Sequence, residues 1–132
     1  MTTPQIVNPP HLHDPRPNGY STAGVATSGR LAFISGQGGQ DRTGNLSPDF
    51  AAQVTQAYAN LAAVLAALGA GPTHVLKLTV FVVDHDMSKL GPLTRAVLQM
   101  FGDTPPAQTL VPVPKLAIDP MLFEVEAVVQ LP

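Results

Sequence analysis

The placement of proline limits what this chain of 132 residues can fold into more strongly than any other feature. Five of its 14 prolines precede Tyr20. Because proline lacks an amide proton and restricts the residue before it, residues 1–17 are expected to run extended, as a loose tail or as a strap over the body. Residues 18–132 are then expected to form a single domain, since a chain of this length builds one hydrophobic core.

The first part of that domain predicts strands. Two β-compatible runs flank Ser28-Gly29, a short glycine-containing turn, and this pattern is typical of a β-hairpin. The second run, residues 31–34, is apolar throughout, so we expect it to be a central strand. The glycine-rich stretch GQGGQDRTGN follows as a loop.

Two helices are predicted by their end signals and their periodicity. The first has Ser47 as N-cap, Pro48 at the first helical position and Gly69 as its stop. The second runs from about Pro92 to Phe101, and Gly102 ends it. Apolar residues recur at helical spacing along one face of each. In the first helix these are Phe50, Val54, Ala57, Tyr58, Leu61, Val64, Leu65 and Leu68, and in the second Leu93, Val97, Met100 and Phe101.

Three further strands complete the pattern. Residues 75–84, VLKLTVFVVD, have the composition of a buried strand. Pro112 and Pro114 make residues 109–117 an edge strand or an interrupted one, because proline donates no ladder hydrogen bond. FEVEAVV alternates apolar and polar residues. The order ββαβαββ predicts an α+β domain with both helices on one face of the sheet.

Composition narrows the class of protein. Only 12% of the residues are charged and 45% are hydrophobic, which suggests an oligomer, although many small polar residues would also lower the charge. The net charge of −2, without any Lys/Arg run, argues against a nucleic-acid partner. Cysteine is absent, which excludes disulfides, thiol nucleophiles and thiolate metal sites.

Nothing in the sequence predicts a membrane or export segment. The first twenty residues lack the basic and apolar regions of a signal peptide, and no apolar run reaches the length of a membrane span. We therefore expect a cytoplasmic protein without a membrane partner.

Two stretches carry candidate chemistry. Glu124 and Glu126 share one face of a strand, roughly 7 Å apart by strand rise. On a buried face, mutual repulsion would favour protonation of one of them and provide a general acid or base; on a solvated face it would not. Residues 35–39, SGQGG, follow an apolar strand and allow close approach to a ligand, as any flexible glycine loop does.

Other chemistries are poorly supported. His11, His13 and Asp14 could bind a metal, but no further ligand follows at suitable spacing. Ser21, Ser28 and Ser35 lack the G-x-S-x-G context of a serine hydrolase.

The ordered set of stretches resembles the YjgF/RidA family, the reactive-intermediate deaminases also called L-PSP endoribonucleases. The resemblance covers about residues 18–130. It is carried by GYS (19–21), LAFISGQ (31–37), ANLAAVLAALGAG (59–71), VLKLTVFVVD (75–84), PPAQT (105–109) and FEVEAVV (123–129). It implies a chorismate-mutase-like fold, a homotrimer with a small-molecule cleft at each subunit interface, and hydrolysis of enamines or imines to a carbonyl compound and ammonia. It implies no metal and no organic cofactor.

The same resemblance suggests which residues act. Tyr20 and Glu124 match catalytic positions of the family. The remaining matches are to substrate-binding positions: Ser35, Gly36, Gln37, Thr94, Gln108 and Thr109. Two of these depart from the family pattern, because Thr94 stands where the family has an asparagine and Gln108 where it has the arginine that grips the substrate carboxylate.

The change at Gln108 bears directly on the substrate. A guanidinium forms a charged, bidentate pair with a carboxylate, whereas an amide is neutral and has one NH₂ group. The resemblance therefore implies an imine hydrolase with a different substrate, or else a non-catalytic trimer that binds a metabolite. Lys115 is a candidate replacement for the missing charge. Ribonuclease activity, which the older family name suggests, fits poorly with the net charge of −2.

Overall fold

A computed structural model describes residues 3–132. Two helices and six strands make up the fold. In chain order these are β1 (Gln5–Val7), β2 (Ala23–Val25), β3 (Leu31–Gly38), α1 (Phe50–Ala67), β4 (Val75–Val83), α2 (Leu90–Phe101), β5 (Ala107–Val113) and β6 (Phe123–Gln130). Neither helix is long and apolar enough to cross a bilayer.

The main sheet is mixed and has the strand order β3-β6-β4-β5. β6 is antiparallel to both β3 and β4, whereas β4 and β5 are parallel and joined through α2. Both helices pack on one face, where Leu61, Leu78, Val97 and Phe123 belong to a single core cluster. The ring of Phe123 meets Phe50 edge-on with centroids 6.2 Å apart. The predicted α+β class, with two helices on one face of the sheet, is confirmed.

The prediction of a β-hairpin around Ser28-Gly29 was wrong. β2 pairs with β1 as a separate two-stranded ribbon, and β3 pairs with β6 instead. β3 is also an edge strand rather than a central one, and Phe33 in it is 75% exposed. An apolar run has the same sequence pattern in a central strand, where both faces are buried, and in an edge strand with one face exposed. The sequence therefore did not distinguish a central from an edge position for β3.

The N-terminal segment is a strap rather than a loose tail. Its strand β1 pairs with β2 in the register Gln5↔Val25 to Val7↔Ala23. The Asn8 Oδ1 atom then accepts a hydrogen bond of 2.7 Å from the Thr22 amide. The segment thereby runs alongside residues 20–25, next to the edge strand β5, which Ser21 joins through a bridge to Ala107.

The observed helix ends lie within two residues of the ends that the capping residues predicted. Asp49 is the N-cap of α1, and its carboxylate accepts a 2.9 Å hydrogen bond from the Ala52 amide, so the prediction of Ser47 was wrong. A carboxylate three residues before a free amide satisfies the capping geometry as well as a hydroxyl does. Gly69 follows the helix with φ of +70°, as predicted for a stop.

The C-terminal strands agree with the sequence. β5 lies at the edge of the sheet, as Pro112 and Pro114 require. In β6 the residues of one face, from Phe123 to Val129, are buried against the helices, while Glu126 on the other face is exposed. Gln130 is fully buried. Its side-chain amide accepts a hydrogen bond from the Thr27 amide and donates one to the Thr27 hydroxyl, which satisfies both of its polar groups.

Tyr58 is expected to tolerate loss of its hydroxyl. The side chain is 6% exposed, and its hydroxyl has no hydrogen-bond partner among residues 3–132. Burial also raises the pKa of Tyr58 above its ordinary value. Tyr58→Phe is expected to raise the free energy of unfolding by about 1 kcal/mol, because it removes an unsatisfied buried polar group. Urea denaturation would measure this, and a loss of stability would show that the hydroxyl has a partner in solution.

A candidate site divided between the two edges of the sheet

A cleft of about 480 Å³ opens between β5 and the start of α2. We call it the β5–α2 cleft. Its walls combine four aliphatic side chains with five residues that carry polar groups. They comprise Asn18, Tyr20, Val80, Leu90, Leu93, Thr94, Gln108, Thr109 and Leu110. Four of the predicted site residues, Tyr20, Thr94, Gln108 and Thr109, therefore lie together.

Gln108 is held in this cleft by the register of β5. It is level with Leu78 of β4, a core residue, so it lies on the helix side of the sheet. Its Oε1 atom is buried and has no hydrogen-bond partner among the described residues. A buried amide oxygen without a partner is uncommon in proteins and is suited to accept a hydrogen bond from a ligand.

Thr94 is positioned by the turn that precedes Tyr20. Its hydroxyl donates a 3.2 Å hydrogen bond to the Asn18 carbonyl. Gly19 has φ of +86°, and a Cβ atom there would lie 3.4 Å from the Thr94 Cα atom. Glycine thus allows the turn to approach α2 closely, which brings Tyr20 to the mouth of the β5–α2 cleft.

A second cleft of about 300 Å³ shares Tyr20, Gln108 and Thr109 with the first. We call it the N-terminal cleft, because Leu12 and His13 of the N-terminal strap form part of its wall. The Tyr20 hydroxyl lies 3.2 Å from His13 Nε2. Lys77 lines the same space and donates a 2.8 Å hydrogen bond to the Thr109 hydroxyl.

The other predicted residues lie where β3 meets β6. Between the pairs Ile34↔Ala127 and Gln37↔Val125, two residues of β3, Ser35 and Gly36, lie opposite one residue of β6, which is a β-bulge. Here the sequence predicted a loop after the strand, but β3 continues to Gly38. The Gln37 amide donates a 3.0 Å hydrogen bond to the Ser35 carbonyl.

The Glu124 carboxylate lies directly over the bulge. A Cβ atom on Gly36 would fall 1.9 Å from Glu124 Oε1, so only glycine leaves room for the carboxylate in this position. Glu124 is half-buried, and no group of residues 3–132 donates a hydrogen bond to its carboxylate or forms a salt bridge with it, whereas Glu126 is exposed. The two carboxylates predicted as a pair thus occupy different environments.

The two groups of residues are distant within one chain. Glu124 is level with Phe81 of β4 and Gln108 is level with Leu78, two strands and three residues apart. With about 4.8 Å between strands and 3.3 Å per residue, their Cα atoms are roughly 14 Å apart. They also lie on opposite faces, since Gln108 is on the helix side. A single chain therefore does not gather all the predicted residues into one cavity.

A family model described as endoribonuclease L-PSP matches residues 13–131. The chain belongs to this family, the YjgF/RidA family. A RutC family protein of Pyrococcus horikoshii is 34% identical over 117 residues, which cover 86% of this chain and 89% of the relative. The RutC family protein YjgH of Escherichia coli is 42% identical over 67 residues, about half of each chain (51% and 50%).

Solved structures of YjgF/RidA proteins have the same fold. The Rid family protein YyfB of Yersinia pestis superposes with a TM-score of 0.95 at 33% identity, over 99% of this chain and 100% of that one. RidA of the Antarctic bacterium Psychrobacter superposes with a TM-score of 0.71 at 26% identity, over 99% of each chain.

Other candidates for the site in this YjgF/RidA chain lie elsewhere. Lys115 lines neither cleft, and its ammonium is 3.9 Å from the Asp119 carboxylate. Asp14, considered with the histidines as a metal ligand, accepts hydrogen bonds from the Arg16 guanidinium, which lower the pKa of its carboxyl group. Within residues 3–132, no group of three or more His, Cys, Asp or Glu side chains could hold a metal ion.

Sequence reasoning missed Lys77 and the part played by His13 in the wall of the N-terminal cleft. Lys77 is the only charged residue of the apolar stretch 75–83, a signal that it lies on an open face. Its proximity to Thr109, however, depends on the parallel register of β4 and β5, which no local pattern indicates.

Proposed function

We propose that the protein hydrolyses imines or enamines to a carbonyl compound and ammonia, in clefts formed between the copies of a homotrimer. The observation that carries this proposal is the division of the site. Gln108 and Tyr20 border an open cleft at one edge of the sheet, and the Glu124 carboxylate lies over Gly36 towards the other edge. Contact between the β5 edge of one copy and the β3 edge of another would complete the site.

The uncovered face of the sheet supports assembly. Phe33 in β3 is 75% exposed, and Phe81 and Val128 on the same face are only partly covered. Large exposed apolar side chains on one sheet face are characteristic of a surface that packs against a partner. Family membership supports the same arrangement, since the resemblance implies a homotrimer.

The proposed reaction needs one group that can move a proton. Water adds to the carbon of the protonated imine while the Glu124 carboxylate takes one of its protons, which gives a neutral carbinolamine. Glu124 then returns that proton to nitrogen. As the C–N bond breaks, ammonia leaves and the carbinolamine hydroxyl gives its proton to the Glu124 carboxylate, so that the carbonyl forms. Glu124 suits this role because no donor within residues 3–132 occupies its oxygens. The Tyr20 hydroxyl and the amide of Gln108 would orient the substrate.

The activity can be tested with imines that a second enzyme generates in the assay mixture. An amino-acid oxidase or threonine dehydratase generates short-lived imines, and the release of ammonia and of the carbonyl product is followed with and without the purified protein. We expect the protein to accelerate hydrolysis of at least one member of a panel of amino-acid-derived and neutral imines. No acceleration over buffer for the whole panel would overturn the proposal.

A non-catalytic trimer that binds a metabolite is the second candidate. The neutral Gln108, whose Oε1 has no hydrogen-bond partner among residues 3–132, favours this second candidate, because the resemblance assigns substrate binding to the family arginine at this position. Saturable binding of a small ligand by a trimer that accelerates none of the imines would support it.

Gln108→Arg is expected to raise kcat/KM for 2-imino acids by about tenfold to a hundredfold. A guanidinium at this half-buried position supplies the charged, bidentate contact with a carboxylate that an amide lacks. Gln99→Arg, which adds the same charge at an exposed position of α2, is the control and is expected to leave kcat/KM unchanged. Equal rates for Gln108→Arg and the unmodified protein would show that residue 108 does not contact the substrate carboxylate.

A further inference from the structure

The β5–α2 cleft has an uncharged wall on the helix side of the sheet. Val80 and Leu110 are level with each other, two residues beyond the pair of Leu78 and Gln108, so these four side chains share the face on which the helices pack. Residues of α2 complete the same wall. Of residues 3–132, nine line this cleft, and none of them is an acid, a lysine, an arginine or a histidine.

Gln108 is the polar group of this cleft that lacks partners. Its Oε1 atom is buried and accepts no hydrogen bond, and its Nε2 atom donates none, within residues 3–132. A side-chain amide carries one acceptor and two N–H donors, and rotation about its last side-chain bond exchanges the two ends. Because an unpaired buried polar group is costly, a ligand that fills the cleft fits best when it offers both a donor and an acceptor.

Lys77, the nearest cation, does not supply its charge to this cleft. Its neighbour Leu78 is a core residue, so Lys77 lies on the opposite face of β4, where it lines the N-terminal cleft and donates to the Thr109 hydroxyl. Glu124, which the proposed trimer would bring to the β5–α2 cleft, is negative. A carboxylate in this cleft would therefore lose its water without gaining a cation.

We propose that the β5–α2 cleft binds a neutral aliphatic ligand that carries a primary carboxamide, paired with the amide of Gln108. Two amides can exchange two hydrogen bonds, each N–H donating to the other carbonyl oxygen. The volume of about 480 Å³ lies in the range of small-molecule sites. Gln108 and Leu110 are two residues apart on β5, roughly 7 Å, so one small ligand can contact both the amide and the aliphatic wall.

Naming this ligand as the substrate rests on the proposed function. The substrate class is then the imine derived from the amide of an aliphatic amino acid, in place of the imine of the free amino acid. Addition of water and loss of ammonia at its C=N bond would give a 2-oxo amide and leave the carboxamide intact. The carboxamide would thus hold the substrate without taking part in the reaction.

Three stable probes with one carbon skeleton test the site without any reaction. They are 4-methylpentanamide, the ketone 5-methylhexan-2-one, in which a methyl group replaces NH₂, and 4-methylpentanoate, which adds a charge. Each is titrated into the full-length protein by NMR. The amide is expected to bind about fivefold more tightly than the ketone, as for one hydrogen bond, and at least about tenfold more tightly than the carboxylate.

Variants of Gln108 locate the preference. Gln108→Met keeps the length of the side chain without the amide, and is expected to bring the affinities for the amide and the ketone within about twofold of each other. Gln108→Arg is expected to reverse the order, so that the carboxylate binds more tightly than the amide. Gln99→Met, at an exposed position of α2 outside the cleft, is the control and is expected to change none of the three affinities.

Leu90→Ala tests the aliphatic wall independently of Gln108. Leu90 lines the cleft and is 40% exposed, so its replacement is expected to leave the fold intact. The affinities for all three probes are expected to fall by about threefold, because each loses the same apolar contact. Unchanged affinities in Leu90→Ala would place the probes outside this cleft and overturn the proposal.

The outcomes separate this site from the proposed reaction. Equal affinities for the amide and the ketone, tighter binding of the carboxylate, or no binding of the amide by the unmodified protein would overturn the site. A preference for the amide that persists in Gln108→Met would also overturn it. A preference that depends on Gln108, in a protein that hydrolyses no imine, would support the site and reject the reaction.

Discussion

Glu124→Gln is expected to lower kcat for imine hydrolysis by about 10²- to 10⁴-fold, the usual contribution of a general acid or base. Glutamine has nearly the same shape as glutamate, so it can occupy the space over Gly36 without disturbing the bulge in β3. It cannot take a proton from water or return one to nitrogen. The loss is therefore expected in kcat, with the fold unchanged. Steady-state rates on an imine that the unmodified protein hydrolyses would measure it.

Glu126→Gln is the matched control for this prediction. Glu126 lies two residues further along the same face of β6, carries the same charge and is exposed. Its replacement is expected to change kcat by less than about twofold, as for an exposed charge outside the site. If Glu124→Gln retained nearly the full rate, another group would have to move the proton, and the proposed mechanism would be wrong.

Gly39→Ala is expected to reduce the free energy of unfolding by roughly 3 kcal/mol, at the upper end of what overpacking costs. A Cβ atom on residue 39 would lie 2.6 Å from the Gln53 Cα atom and 2.7 Å from the Gln53 carbonyl oxygen. These atoms are helix backbone and cannot move without moving α1. Gln53 is also fully buried and joins three segments, through hydrogen bonds to the Ser47 and Pro120 carbonyls and from the Leu122 amide.

Urea denaturation at a single protomer concentration would measure this loss, since the proposed trimer would make stability depend on concentration. Gly71→Ala is the control, because residue 71 has an extended φ of −142° and a Cβ atom there has no neighbour within 4 Å. It is expected to be neutral or slightly stabilising, since alanine restricts the unfolded chain. Similar stabilities for Gly39→Ala and Gly71→Ala would mean that α1 is packed less tightly against this loop.

The helices and strands were predicted well from short sequence signals, because the interactions that begin and end them act over a few residues. Helix ends depend on a cap within a few residues, so α1 and α2 were placed with errors of two residues at their starts. The prolines of β5 exclude a central position whatever surrounds them, and β5 is indeed an edge strand. Gln53, by contrast, was not predicted to be buried, because two of its three partners, Pro120 and Leu122, are distant in sequence.

The sequence by itself determined the α+β class, both helices and, through an ordered set of short stretches, the family, and it restricted β5 to an edge strand or an interrupted one. Periodicity, capping and proline chemistry act over a few residues, so these features can be read without knowing the fold. Only the tertiary structure decided that β2 pairs with the N-terminal strap, that the candidate residues separate into two groups, and that Lys77 borders Gln108 and Thr109. Each of these depends on strand pairing between residues distant in sequence, which the alternation of side chains along one strand does not encode.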